Sequence, residues 1–293
     1  MNQIANMITQ GLFLASIFAL VSVGFVVLYR ATGVVSFVQG YLMLLGAVVY
    51  HYISDSRPTW MLYVGLPLTL VVVGVVAVLA YRLVFARLTG ADAFVSSIAS
   101  IGLGMLLQLV IIMVFGSVPV SAPRLVSNSY WHVTGTVNIP WTTIFLLGGA
   151  VVSFACILLY LFATPVGLAM RAAANRTLLA AQAGVNVRSV SAVAWGIGGV
   201  TAALAGIGYS FSAQIDPNTI PNLGLLVFPV LILGGLDSLK GAIIASIILG
   251  LIESATITWI GGQEQDIISY ALMLGVILFK PSGLFGSREV ARL

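Results

Sequence analysis

Charge is what this sequence has least of. Only 7% of its 293 residues are Asp, Glu, Lys or Arg, against 60% hydrophobic; a soluble domain carries about a quarter charged. So few ionisable groups cannot clothe a water-facing surface, which excludes a soluble enzyme and a disordered scaffold. The net charge of +4 is spread along the whole chain, with no basic stripe of the kind nucleic acid requires. The single cysteine, Cys156, excludes an internal disulfide framework and reads as a small core residue in an apolar run. With only His51 and His132, both expected on the outer side, there is no His-Glu-x-x-His pair and no metal site is expected. Ser210, between Gly208 and Ser212, approaches a nucleophile elbow but lacks its final glycine and any strand context. No Gly-x-x-x-x-Gly-Lys-Ser/Thr loop occurs, so the chain cannot hydrolyse ATP by that route. It is not expected to be an enzyme, to have catalytic residues or to hold a cofactor.

Long apolar runs fill the space that charge leaves. A spanning helix needs about 20 mostly apolar residues, and cutting on that rule predicts segments at 7–29, 34–53, 60–85, 94–115, 141–162, 190–211, 223–233, 242–260 and 267–279. The first carries no basic n-region or small-residue cleavage site, so it reads as a retained span. The fold class is therefore all-α: a polytopic transmembrane helical bundle of eight or nine membrane segments with interrupted helices, forming one domain over residues 1–293. The runs at 223–233 and 267–279 are short for complete spans. Residues 116–140 read as an ordered external loop, and 164–189 as a cytoplasmic segment. Placing Arg30, Arg82, Arg87, Arg171, Arg176, Arg188, Lys240, Lys280, Arg288 and Arg292 inside leaves only Arg57 and Arg124 outside. By the positive-inside rule the N-terminus is then outside and the C-terminus inside.

Two glycine-rich stretches interrupt apolar runs: Gly33-Val-Val-Ser36-Phe-Val-Gln39-Gly40, and Gly234 to Gly241 with Gly235, Asp237 and Ser238. Backbone freed at such points must face protein or a water-filled cavity, and short glycine-interrupted segments in both halves point to a transport pathway. A tight turn between helices is the other reading of each. The shared Gly-x-x-Ser spacing of Gly33/Ser36 and Gly235/Ser238 is a faint sign of an internal repeat. Small-residue ridges at Gly198, Ala202, Gly206 and at Gly250, Ser254 read as helix packing. Glu253 is the one acid deep in an apolar run, a candidate pathway residue, with Arg124 or another subunit as its partner. Asp237 and Lys240 either pair or face the cytoplasm. Residues 165–189 are alanine- and arginine-rich, favour a short helix and carry Gly184 as its stop. Such a helix suits a cleft on a partner.

These residues resemble the branched-chain amino acid ABC permeases of the LivH type. Gly33 to Gly40 followed by Gly46-Ala47 is similar to the early signature of that family, commonly Gly-Ile-Ile-Asn-Phe-Ala-His-Gly and then Gly-Ala. The stretch from Gly167 and Arg171 to Ala183-Gly184 resembles its coupling segment. Gly234 to Gly241 resembles a Gly-Gly-Leu-Gly-Ser-x-x-Gly motif, and Lys280 to Gly286 its usual ending. The matches run in family order over nearly the whole chain. The resemblance implies an inner-membrane permease of a binding-protein-dependent importer, paired with a second permease or a second copy of itself, two ATPase subunits and an external solute-binding protein. ATP and Mg would sit on the ATPases. Arg171, Ala172, Arg176, Ala183 and Gly184 would couple to them, and Gly33, Ser36, Gln39, Gly40, Gly235, Ser238 and Glu253 would line the pathway for inward alternating access. Ser36, Gln39 and Asp237 depart from the family pattern, so the solute is a small organic molecule of the branched-chain amino acid class or another such as urea or a short amide. An ATPase-independent secondary transporter or facilitative channel is the alternative, and the near-absence of buried charge counts against ion coupling.

Overall fold

The computed structural model describes residues 2–55, 58–88, 90, 92–124, 130–134, 137–175, 177–262 and 264–286. Its helices are α1 (Asn2–Thr32), α2 (Gln39–Ser54), α3 (Thr59–Leu83), α4 (Ala93–Phe115), α5 (Trp141–Ala163), α6 (Pro165–Asn175), α7 (Thr177–Gln182), α8 (Val187–Ser210), α9 (Thr219–Leu225), α10 (Val227–Gly234), α11 (Leu239–Trp259) and α12 (Gln265–Phe279). Among the described residues six of these (α1, α3, α4, α5, α8 and α11) are long and apolar enough to cross a membrane. Helix is the form that pairs every backbone group within one segment, which an apolar surround demands. The segment expected at 34–53 is shorter than a span, because α2 starts only at Gln39 and has 16 residues. The 116–140 loop adds a feature to the all-α expectation: β1 (Tyr130–Thr134) pairs antiparallel with β2 (Val137–Pro140). Cys156 lies exposed on α5, not in the core. In a peripheral membrane helix the outward face is itself apolar, so apolarity did not mark the inside.

The core is built on α1 and α8, which touch through small residues. A Cβ on Gly24 would run into Thr201 and lie 3.1 Å from the Gly198 Cα. Backbones that approach this closely gain dispersion contacts, the main attraction between helices in lipid. The same device joins α1 to α11, where Gly250 faces Ala15 and Gly11 faces Leu251. Hydroxyls add to that contact: Ser22 lies 3.2 Å from Ser246, and Ser254 donates to the Met7 carbonyl at 2.6 Å. On the other side α8 meets α3, with Gly199 against Ala77 and Val73.

Packing partners recur in the two halves. α1 packs on α11 as α8 packs on α3; α2 lies against α3 and α4 as α10 lies against α11 and α12. Antiparallel contacts, Ala31 with Ser191 and Gly24 with Gly198, run α1 and α8 in opposite directions. Helices α1–α4 and α8–α12 thus form an inverted repeat, with α9 and α10 together in the place of α2. The break at 33–38 corresponds to the non-helical stretch 211–218, not to Gly235 and Ser238 as the Gly-x-x-Ser spacing suggested. Contact demands repeat across the two halves, whereas residue identities do not.

Candidate translocation site

Gly33 closes α1: its N–H donates to the Tyr29 carbonyl at 2.7 Å, and its φ of +69° is open to glycine at little cost. The chain then runs without helix to Val38. Phe37 anchors this stretch, its N–H donating to Ser100 Oγ at 3.0 Å and its ring stacking 4.5 Å from Phe228. Ser36 is 1% exposed, and its Oγ accepts from the Val38 N–H at 3.4 Å. Gln39 begins α2 beside Gly198, in the middle of the 24-residue α8. The start of α2 is therefore buried roughly half-way along the bundle.

Gln39 is 3% exposed, and among the described residues neither polar atom of its amide has a hydrogen-bond partner. Leaving a buried polar group unpaired costs about 1–3 kcal/mol, whereas an apolar replacement of similar shape is neutral or stabilising. Gln39→Leu is therefore expected to keep or raise the melting temperature of the purified chain in detergent. A fall of several degrees would show that the amide supports the fold.

One residue on, Gly40 meets the second broken element. A Cβ on Gly40 would stand 2.6 Å from the Pro221 carbonyl oxygen and 3.1 Å from the Gly224 Cα, and a Cβ on Gly224 would collide with Gly40. The two half-helices, α2 and α9–α10, cross here backbone to backbone.

Beside this crossing the surface is polar, although the helices around it are apolar. Gln108 on α4 donates to the Pro217 carbonyl at 2.8 Å and reaches the Asn218 side-chain oxygen at 3.4 Å. Asp216 accepts from the Asn218 N–H at 2.8 Å and the Thr219 hydroxyl at 3.1 Å. Asn218, Thr219 and Asn222 are exposed. Exposed amides at this depth have no place against acyl chains; they belong against water or protein. Gln108, Asn218 and Asn222 carry little signal in the sequence. A lone amide in an apolar run and two asparagines beside prolines were the available signals.

Other expected pathway residues lie apart. Gly235 takes φ +100° at the end of α10, and a Cβ there would meet Gly286. Ser238 caps α11, accepting from the Gly241 N–H at 3.0 Å. The final described residues clasp this turn: the Leu284 N–H donates to Leu233 and the Phe285 N–H to Gly234, at 2.8 and 3.1 Å. Glu253, 2% exposed, accepts from the Ser269 hydroxyl at 2.7 Å, so its partner is α12, not Arg124.

Where one helix was expected after α5 there are two, α6 and α7. The turn after α7 has Gly184 at φ +86°, with Gly184 N–H donating to Ala181 and Val185 N–H to Ala180, both at 3.0 Å. This is a Schellman stop. Ala172, Ala183 and Gly184 are exposed, as are Leu178 and Leu179, at 73% and 50%. Arg171 lies over Phe162 at the end of α5, its guanidinium 4.7 Å from the ring centre. Arg176 lies outside the described residues.

The family profile described as the permease component of branched-chain amino acid transport systems matches residues 7–279. The chain is 28% identical to the high-affinity branched-chain amino acid transport system permease protein LivH of Salmonella typhimurium, over 97% of this chain and 96% of that protein. It is 24% identical to the corresponding permease BraD of Pseudomonas aeruginosa, over 98% and 97% of the two chains. To the probable branched-chain amino acid transport permease LivH of Methanocaldococcus jannaschii it is 26% identical, over 96% and 92%.

Proposed function

Because the chain belongs to the family of branched-chain amino acid transport permease components, we propose that it is the membrane-spanning permease subunit of a binding-protein-dependent ABC importer, carrying branched-chain amino acids or close small relatives inward. Its orientation is N-terminus outside and C-terminus inside, in the inner membrane, with the short segments α2, α9–α10 and α12 completing eight or nine membrane segments. A second permease subunit, or a second copy, covers the polar seam of Gln108, Asn218 and Asn222. An external binding protein delivers solute to the end that carries the β-hairpin. Two ATPase subunits with ATP and Mg dock at α6 and α7, where the exposed leucines and Gly184 receive their motion.

The observation that carries this reading is the pair of oppositely directed half-helices crossing at Gly40 and Gly224 beside exposed amides. Inverted repeats with discontinuous helices near mid-depth are the architecture of alternating access. Ser36 and Gln39 contribute from behind the crossing, setting how α2 seats on α8. Gly33, Gly235 and Ser238 shape the turns that end each broken element. Secondary coupling to protons or sodium finds little support, since Glu253 is already engaged by Ser269 and lies on α11, away from the seam.

The test is uptake by the assembled transporter in vesicles. Gln108→Leu and Asn222→Leu are each expected to lower uptake about tenfold, the equivalent of one lost hydrogen-bonding group at 1.4 kcal/mol. Arg124→Ala should leave uptake unchanged. Equal effects from all three would remove the seam from the pathway.

A further inference from the structure

A cavity of about 1370 Å³ lies between the last turn of α1, the end of α5, the α6–α7 pair and the first turn of α8. Arg30, Arg171 and Arg188 line it, with Asp237 as the carboxylate among its lining residues. None of the three arginines makes a hydrogen bond or ion pair within the described residues, and the Arg171 Nε is buried without a partner. Arg30 and Arg188 stand exposed at the mouth of this space, and leaving the buried Arg171 Nε unpaired is costly, so the three together offer an anion a charged entrance and one unsatisfied donor.

Part of the wall is apolar. Leu161, Phe162, Met170 and Leu178 line the same cavity, and Phe162 is 65% exposed on the outward face of α5. Arg171 stacks on that ring, and so stands where the apolar surface of the bundle meets its polar end. A free phosphate would use a small part of such a volume and none of its apolar wall. A phosphodiester with glycerol and the first methylenes of an acyl chain uses both. Basic pockets between helices at this level are suited to anionic headgroups, and stacked or stretched arginines reach them readily.

We propose that this cavity is a binding site for the phosphate group of an anionic phospholipid, held by Arg171, Arg188 and Arg30, with an acyl chain along Leu161 and Phe162. The orientation proposed above fixes only the leaflet, the inner one. Binding is read without transport, so failure of this site and failure of the importer reading are separable.

The experiment is titration of the purified full-length chain in detergent with phosphatidylglycerol, phosphatidylcholine and inorganic phosphate, followed by native mass spectrometry. Phosphatidylglycerol is expected to bind at least tenfold more tightly than phosphatidylcholine. Arg171→Gln and Arg188→Gln should each weaken it about fivefold, from about 1 kcal/mol per arginine at such a surface. Arg171→Lys should retain most of the binding, separating charge loss from misfolding. Arg87→Gln, at the same end but outside the cavity, should have no effect. Unchanged binding in Arg171→Gln and Arg188→Gln, or equal loss in Arg87→Gln, overturns the site. Displacement of the lipid by millimolar inorganic phosphate overturns the lipid as its occupant.

Discussion

Replacing Gly224 with valine is expected to abolish solute uptake while the chain remains inserted in the membrane. The first atom of any side chain at this position falls on the Gly40 Cα, and Gly40 in turn has only 2.6 Å to the Pro221 carbonyl oxygen. Neither neighbour is a flexible side chain that can turn aside, so α2 and α9 must separate. Overpacking in a close-packed interior costs about 1–3 kcal/mol when neighbours can adjust, and here only backbone is available to do so. Gly224→Ala should give an intermediate defect, since it adds the same Cβ without the branches. The readout is uptake by the assembled transporter together with the amount of the chain in the membrane. Normal uptake with valine would show that the half-helices do not need this crossing.

A β-branched residue at Gly184 should separate ATP hydrolysis from transport. At φ +86° a side chain meets its own backbone, and L-residues pay roughly 1–2 kcal/mol there. The Schellman bonds from Gly184 to Ala181 and from Val185 to Ala180 would loosen, releasing the link between α7 and α8. In the proposed assembly Gly184→Val keeps hydrolysis within about twofold of wild type and loses most uptake. Among the described residues nothing lies within 4 Å of a Cβ at this site, so the effect arises from backbone conformation. Wild-type uptake in that variant, or hydrolysis falling in step with uptake, would remove this turn from the coupling path.

Much of the architecture was legible because helix in an apolar surround depends on runs of residues, not on individual ones. Apolar runs at 60–85, 94–115 and 141–162 correspond closely to α3, α4 and α5. Gly184 as a helix stop was legible for the same local reason. What escaped was everything set by depth and direction. The start of α2 at Gln39 depends on Phe37 being tied to Ser100 and Phe228, contacts distant in sequence. An inverted repeat places equivalent positions in reversed chain direction, so it preserves where backbones must come close and leaves little residue identity to find. Ser36 and Gln39 stood out by type, yet their burial could not be inferred from type. Gln108, Asn218 and Asn222 did not stand out, because a single amide becomes informative only when its exposure is known.

The clasp of Leu284 and Phe285 on the last carbonyls of α10 makes α9–α10 a lever with a fixed heel. Its heel is held at Gly234 and Gly235 by the chain's final described turn, while its toe at Thr219 follows the non-helical residues 211–218, which Gln108 and Val120 tie to α4 and the stretch after it. From heel to toe is about 24 Å at helical rise, so a tilt of about 5° carries the toe about 2 Å. That is close to the range over which a backbone-to-backbone crossing opens or shuts. Shortening the chain before Leu284 would release the heel and let the whole arm drift, turning a directed swing into slack.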